Sequence, residues 1–104
     1  NIYLEMDDTL NAEKCFYEEL QVSRKTNDPY MIAMSYLDIG DLYLLKKQYE
    51  KSIKAFIMAK KAIGKTISTD SKEKIDRRFK YVVSEIGESG FNRIIDNLKK
   101  KNEH

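Results

Sequence analysis

Residues 36–64 read YLDIGDLYLLKKQYEKSIKAFIMAKKAIG, and this stretch decides the fold. Apolar residues recur every three or four positions on both sides of Lys46-Lys47-Gln48, a spacing that is typical of amphipathic helices. The three polar residues interrupt the pattern, and a second helix is predicted from about Tyr49. Gly64 is suited to end that helix, because glycine readily adopts the backbone conformation of a C-terminal cap. The stretch therefore predicts a helical hairpin with a very short turn.

The segments before this hairpin are also predicted to be helical. Asp28-Pro29 places a capping side chain before a proline, so the first helix of the hairpin begins near Tyr30. Its apolar residues spread over a wide face, which indicates that neighbours cover it on more than one side. Upstream, residues 11–26 predict a helix, and residues 2–8 predict the tail of another helix.

Two more helices are predicted downstream of the hairpin. Asp70 and Glu73 have the form of a capping box, which marks the start of a helix. Gly87-Glu88-Ser89-Gly90 predicts the end of that helix, and a shorter helix follows from Phe91.

The composition fits one small all-α domain spanning residues 1–104. A single proline and four glycines among 104 residues disfavour the many tight turns of an all-β protein. Cys15 is the only cysteine, which excludes an internal disulfide and a cysteine-based zinc cluster. The sequence contains neither an apolar run of about 20 residues nor a signal peptide. We therefore expect a cytoplasmic location and no membrane partner.

The helical blocks repeat along the chain. The residues Tyr3-Leu4, Ala12, Lys14 and Phe16 recur forty positions later as Tyr43-Leu44, Ser52, Lys54 and Phe56. Such a period is typical of arrays of helical hairpins.

The central unit resembles the tetratricopeptide repeat, or TPR, whose pattern combines aromatic, glycine and small residues at fixed spacing. The matching positions, and the predicted packed centre of the repeat, are Tyr36, Ile39, Gly40, Tyr43, Tyr49, Ser52, Phe56 and Ala59. The resemblance implies a right-handed superhelix of about three stacked antiparallel hairpins. The first unit matches only in its second half, so we expect an incomplete repeat and a longer parent chain.

The forty-residue period and the Asn-Asp-Pro-Tyr linker resemble the arrays of Gram-positive peptide-sensing regulators of the Rap and PlcR types. In such arrays the inner helices line a concave face that binds short peptides. The resemblance thus implies a protein- or peptide-binding module. An alternative is a segment for dimerisation, as a homodimer, or for packing within a larger regulator or phosphatase.

The residues expected on the concave face are those of the first hairpin helix that packing does not use. They are Met34, Leu37, Asp38, Asp41, Leu44 and Leu45. Asp38 and Asp41 are three residues apart and share a helix face, so they favour a ligand that donates N–H groups or carries Lys or Arg. The alternative is that both carboxylates are simply solvated.

Other functional classes find less support in the sequence. Lys47, Lys51, Lys54, Lys61 and Lys65 form a stripe with Met58 on the second hairpin helix, which a nucleic acid could contact. The stripe has no interleaved aromatic residues, and a solvated outer face is the preferred interpretation. The sequence has no paired nucleophile and base, phosphate-binding loop or metal-ligand cluster. We therefore predict that the protein is not an enzyme and needs no cofactor or metal.

Overall fold

The computed structural model describes residues 6–64 and 69–102, which form four α-helices. In chain order they are α1 (Met6–Thr26), α2 (Pro29–Leu45), α3 (Tyr49–Ile63) and α4 (Thr69–Asn102). The second helix packs against α1 and against α3, and α3 also packs against α4. The all-α prediction is confirmed for these residues. None of the four helices is long and apolar enough to cross a membrane.

The start of α2 follows from its capping residues. The Asp28 carboxylate accepts a hydrogen bond from the backbone N–H of Tyr30 at 3.0 Å. Pro29 is the first helical residue, where its missing N–H leaves no hydrogen bond unmade. The predicted start near Tyr30 is thus confirmed.

The turn between α2 and α3 is a compact Schellman motif. The backbone N–H of Gln48 donates to the Tyr43 carbonyl at 2.9 Å, and that of Lys47 donates to the Leu44 carbonyl at 3.0 Å. Lys47 adopts the left-handed conformation that this motif requires, with φ at 57°. The predicted hairpin and its very short turn are therefore confirmed.

Two predicted boundaries are corrected, and a third is confirmed. Residues 6–8 belong to α1, which is one continuous helix, because no glycine or proline separates them from the residues that follow. Residues 1–5 lie outside the described part of the chain. Asp70 lies in the first turn of α4 instead of capping it. The predicted end of a helix at residues 87–90 is confirmed at Gly87, whose φ of 80° and ψ of 163° are not helical, so α4 consists of two helices that meet at this residue.

The core is centred on the α2–α3 hairpin and extends to α4 through aromatic rings. The ring of Phe56 contacts that of Phe79 edge to face at 6.0 Å, and Phe79 contacts Phe91 at 5.9 Å. Phe91 follows the break at Gly87, so this series of rings joins both parts of α4 to α3. At the far end of α4, Lys101 forms an ion pair with Glu50 at 3.2 Å, which places the end of α4 beside the start of α3.

Gly40 allows the close approach of α2 and α3. A Cβ atom at position 40 would lie 2.6 Å from Cδ1 of Phe56 and closer still to Cε1. Such contacts are shorter than packed carbon atoms tolerate, so the Phe56 ring occupies the space that glycine leaves. Of the residues of the repeat pattern, Tyr36, Ile39, Gly40, Tyr43, Ser52, Phe56 and Ala59 are buried, and Tyr49 is partly buried.

Candidate functional site

The exposed side of α2 that carries the predicted ligand contacts is called the acidic face here. It comprises Met34, Asp38, Asp41 and Leu45. Met34, Asp38 and Asp41 are partly buried, whereas Leu45 is 55% exposed. The acidic face thus combines two carboxylates with accessible apolar side chains.

Two residues predicted to line the concave face lie elsewhere. Leu37 is only 1% exposed, because it lies within the core instead of facing solvent. A ligand therefore has almost no Leu37 surface to contact, and that assignment is corrected. Leu44 is partly buried and packs against the core, so only part of its side chain is accessible to a ligand.

Asp41 is held by a residue of α4. The Arg78 Nε atom donates to Asp41 Oδ1 at 2.8 Å, and Arg78 Nη2 donates to Asp41 Oδ2 at 2.8 Å. This bidentate geometry is the one that fits a guanidinium to a carboxylate best. Arg78 also donates to the Lys74 carbonyl at 3.0 Å, which fixes the guanidinium in place. Asp41 is therefore held in an ion pair, while its side chain remains 42% exposed to solvent.

Asp38 has a different environment. Among the residues that the structure describes, none donates a hydrogen bond to its carboxylate or forms an ion pair with it. Burial raises the pKa of Asp38 above its ordinary value, and the nearby carboxylates Glu19 and Asp41 raise the pKa further. Arg78 opposes this shift only in part. Asp38 is thus a partly buried acid whose carboxylate has neither a hydrogen-bond donor nor an ion-pair partner within residues 6–64 and 69–102.

The opposite side of α2 lies under a cavity between α1 and α3, called the tyrosine groove here. The volume of the groove is about 530 Å³. Its lining consists of Tyr17, Leu20, Gln21 and Arg24 from α1, Tyr36, Ile39 and Tyr43 from α2, and Lys51, Lys54, Ala55 and Met58 from α3. Two lysines of the predicted stripe, Lys51 and Lys54, therefore lie at a cavity and not on a plain convex surface. Lys65 lies outside the described residues.

A hydrogen-bonded network closes one end of the tyrosine groove. The Tyr43 hydroxyl donates to Glu13 at 2.8 Å, and Lys46 donates to the other Glu13 oxygen at 3.3 Å. Because its one hydrogen is given to Glu13, Tyr43 accepts from the Tyr17 hydroxyl at 2.9 Å. The hydrogen bond from Tyr43 lowers the pKa of Glu13, and Lys46 lowers it further against the effect of burial.

At the other end of the groove, Arg24 donates to the Tyr36 hydroxyl, and its guanidinium carbon lies 5.7 Å from the centre of the Tyr36 ring. Next to this contact, the buried hydroxyls of Ser23 and Ser35 form a hydrogen bond of 2.9 Å between α1 and α2. Both ends of the groove are therefore fixed by polar contacts between α1 and α2.

Sequence reasoning did not find Glu13, Arg24 or Arg78. Each of them acts on a helix distant in sequence, and helix periodicity alone does not give the register between such helices. Within residues 6–64 and 69–102, no three His, Cys, Asp or Glu side chains lie close enough together to hold a metal ion. The expectation that the protein is not an enzyme and needs no cofactor stays a prediction.

No protein-family model matches this chain, and the searches of characterised proteins and of solved structures give no significant match.

Proposed function

We propose that the protein is a protein- or peptide-binding module that binds its partner on the acidic face. In this proposal, the α2–α3 hairpin is the central unit of a TPR-like superhelical array, and the acidic face is part of its concave side. The repeat pattern of residues 36–64 and the close contact between Gly40 and Phe56 support the array. The chemistry of the ligand is inferred from the exposed side chains of α2.

The observation that supports the proposal is the Asp38 carboxylate, which has no hydrogen-bond donor or ion-pair partner in the described part of the chain. A partly buried charge without a hydrogen-bond donor is costly, and a ligand that supplies the donor recovers that free energy on binding. Asp41 already has Arg78, so the two acids have different roles. Asp38 would bind the ligand, and the Asp41–Arg78 pair would hold α2 and α4 in position around it.

The same surface indicates the chemistry of the ligand. A Lys or Arg side chain, or a backbone N–H group, is the complement of the Asp38 carboxylate. Apolar side chains beside it offer contact area, since Met31 is 45% exposed and Leu45 is 55% exposed. The preferred partner is therefore a peptide segment with a basic residue flanked by apolar anchors.

A peptide array tests this proposal. It would present short peptides in which one basic residue and two apolar residues vary in spacing, together with copies in which Glu replaces the basic residue. We expect the basic series to bind and the Glu series to fail. Asp38→Ala should weaken the best peptide by about 10- to 150-fold, as expected for the loss of a charge-assisted hydrogen bond of about 1.5–3 kcal/mol.

Asp96→Ala is the matched control, because Asp96 is an exposed aspartate near the end of α4. It removes the same charge away from the acidic face and should leave the affinity within about twofold, since exposed charges at a distance are screened. Equal losses for the two variants, with unchanged melting temperatures, would contradict the proposal. Self-association in sedimentation velocity that Leu45→Ser abolishes would instead assign this surface to a homodimer.

A further inference from the structure

We propose that the tyrosine groove binds a small amphipathic organic anion, that is, an apolar or aromatic body carrying one carboxylate, sulfonate or phosphate group. This site is separate from the acidic face. At about 100° per residue, the groove residues Tyr36, Ile39 and Tyr43 lie about 160° around α2 from Asp38 and Asp41. The two surfaces can therefore be occupied and tested independently.

The groove is lined by three stripes of residues, one from each of the helices α1, α2 and α3. From α1 the lining runs from Tyr17 to Arg24, from α2 it runs from Tyr36 to Tyr43, and from α3 it runs from Lys51 to Met58. Each stripe spans eight residues, or seven steps along the helix, so the groove is about 10 Å long at a rise of about 1.5 Å per residue. That length and the volume of about 530 Å³ fit a small molecule. A surface this short is too small to follow the backbone of a nucleic acid over several phosphates.

The floor of the groove is apolar and its polar atoms are already engaged. Leu20 and Ile39 are core residues that are 4% and 2% exposed, and Ala55 is 6% exposed. The hydroxyls of Tyr36 and Tyr43 take part in hydrogen bonds with α1. An apolar body in the groove therefore covers carbon surface and breaks none of these bonds.

The charged groups that line the groove are all cationic. They are Arg24, Lys51 and Lys54, and none of the described lining residues is an acid. Lys51 lies 5.5 Å from the centre of the Tyr43 ring, so its ammonium group is held near the cavity. The nearest carboxylate of the adjoining network, Glu13, is already bound to Tyr43 and Lys46. Charge complementarity thus selects an anionic headgroup over a neutral or cationic one.

The test uses two fluorescent probes that differ in one group. The first probe, 8-anilinonaphthalene-1-sulfonate, carries a sulfonate, and the second, N-phenyl-1-naphthylamine, has the same aromatic body without it. We expect the sulfonate probe to bind with one-to-one stoichiometry and at least 10-fold more tightly than the neutral probe. Decanoate should displace it, whereas decanol at the same concentration should not.

Lys51→Gln/Lys54→Gln removes both lysines of the groove and should weaken the sulfonate probe at least fivefold while leaving the neutral probe within twofold. Lys61→Gln, on the exposed surface of α3, is the control and should leave the affinities for both probes unchanged. Melting curves of the free variants establish that they are folded. Equal affinity for the two probes, or an unchanged sulfonate affinity in the folded double variant, would overturn the proposal. Neither result depends on the peptide affinity of the acidic face.

Discussion

The two flanks of α2 are packed in different ways. Toward α1, polar contacts accompany the apolar packing of Leu20: the Ser23–Ser35 hydrogen bond and the hydrogen bonds of the Tyr36 and Tyr43 hydroxyls. Toward α3, the contacts are between carbon atoms, with the Phe56 ring lying against Gly40. The α1 flank thus combines apolar contacts with side-chain hydrogen bonds, whereas on the α3 flank a glycine lets an aromatic ring lie against the α2 backbone.

The polar contacts adjoin open space. The tyrosine groove is lined by α1, α2 and α3, and its lining includes Tyr36 and Tyr43, whose hydroxyls form hydrogen bonds with α1. On the α3 flank, the phenylalanine rings fill the space and continue into α4 through Phe79 and Phe91. We infer that the α3 flank supplies most of the stability and that the α1 flank supplies orientation and a surface open to ligands.

The largest effect is expected at the close contact between α2 and α3. Gly40→Leu places a branched side chain where the Phe56 ring lies, and overpacking of this kind costs about 1–3 kcal/mol. The measurement is the free energy of unfolding in urea. An unfolding free energy that Gly40→Leu leaves unchanged would remove the basis of the repeat assignment.

Phe56→Ala distinguishes overpacking from a general loss of helix packing. Alone, it should cost about 3–5 kcal/mol, because Phe56 is fully buried. Combined with Gly40→Leu, it should cost clearly less than the sum, since the leucine then enters the space that the ring has left. Additive losses would show that Gly40 and Phe56 do not share this contact.

A smaller effect, dependent on pH, is expected on the α1 flank. Tyr43→Phe removes the hydroxyl that donates to Glu13 and should cost about 1–2 kcal/mol at neutral pH. Because the folded-state pKa of Glu13 is below its ordinary value of 4.5, the carboxylate contributes stability above that pH. This contribution is lost as the pH falls through the folded-state pKa.

The difference in unfolding free energy between the wild type and Tyr43→Phe should therefore be largest above about pH 5 and should narrow below about pH 4. Urea denaturation between pH 3 and pH 7 measures it. A difference that is constant over this range would show that the hydroxyl does not act through Glu13.

Two serines give the smallest effects, with opposite signs. Ser23→Ala leaves the buried Ser35 hydroxyl without its partner and should destabilise by about 1 kcal/mol. The Ser52 hydroxyl is buried without a hydrogen bond from any described residue, so Ser52→Ala should be neutral or stabilising by up to about 1 kcal/mol. Thermal melts of the two variants measure these changes in stability. A destabilisation by Ser52→Ala as large as that by Ser23→Ala would contradict the contrast between the flanks.

The fold was predictable from the sequence where local chemistry decides it. Asp28 and Pro29 favour the start of a helix by their own side chains. The spacing of the apolar residues around Gly40 favours a neighbouring helix that packs closely against α2. The sequence places the helix end within residues 87–90, and the structure places it at Gly87, because residues 88–90 already belong to the second helix of α4. Gly90 keeps a helical conformation beside Ile86, and nothing local distinguishes it from Gly87.

The candidate site was less predictable than the fold. Asp38 and Asp41 have the same side chain on the same helix face, yet only Asp41 forms an ion pair with a residue that the structure describes. The difference depends on Arg78, which is 37 residues away, and on the register of α4 against α2. The burial of Leu37 has a similar cause, since it depends on how neighbouring helices pack around α2. Such features are set by packing between helices, which the spacing within one helix does not reveal.

The central claim is that the acidic face binds a basic peptide, and mapping by NMR tests it most directly. The strongest peptide from the array would be titrated into ¹⁵N-labelled protein. We expect amide shift changes that centre on Met34, Asp38 and Leu45, with the amides of Tyr36 and Ile39 at the groove shifting less. Shift changes centred on Tyr17, Arg24 and Lys54, with none at Asp38, would contradict it.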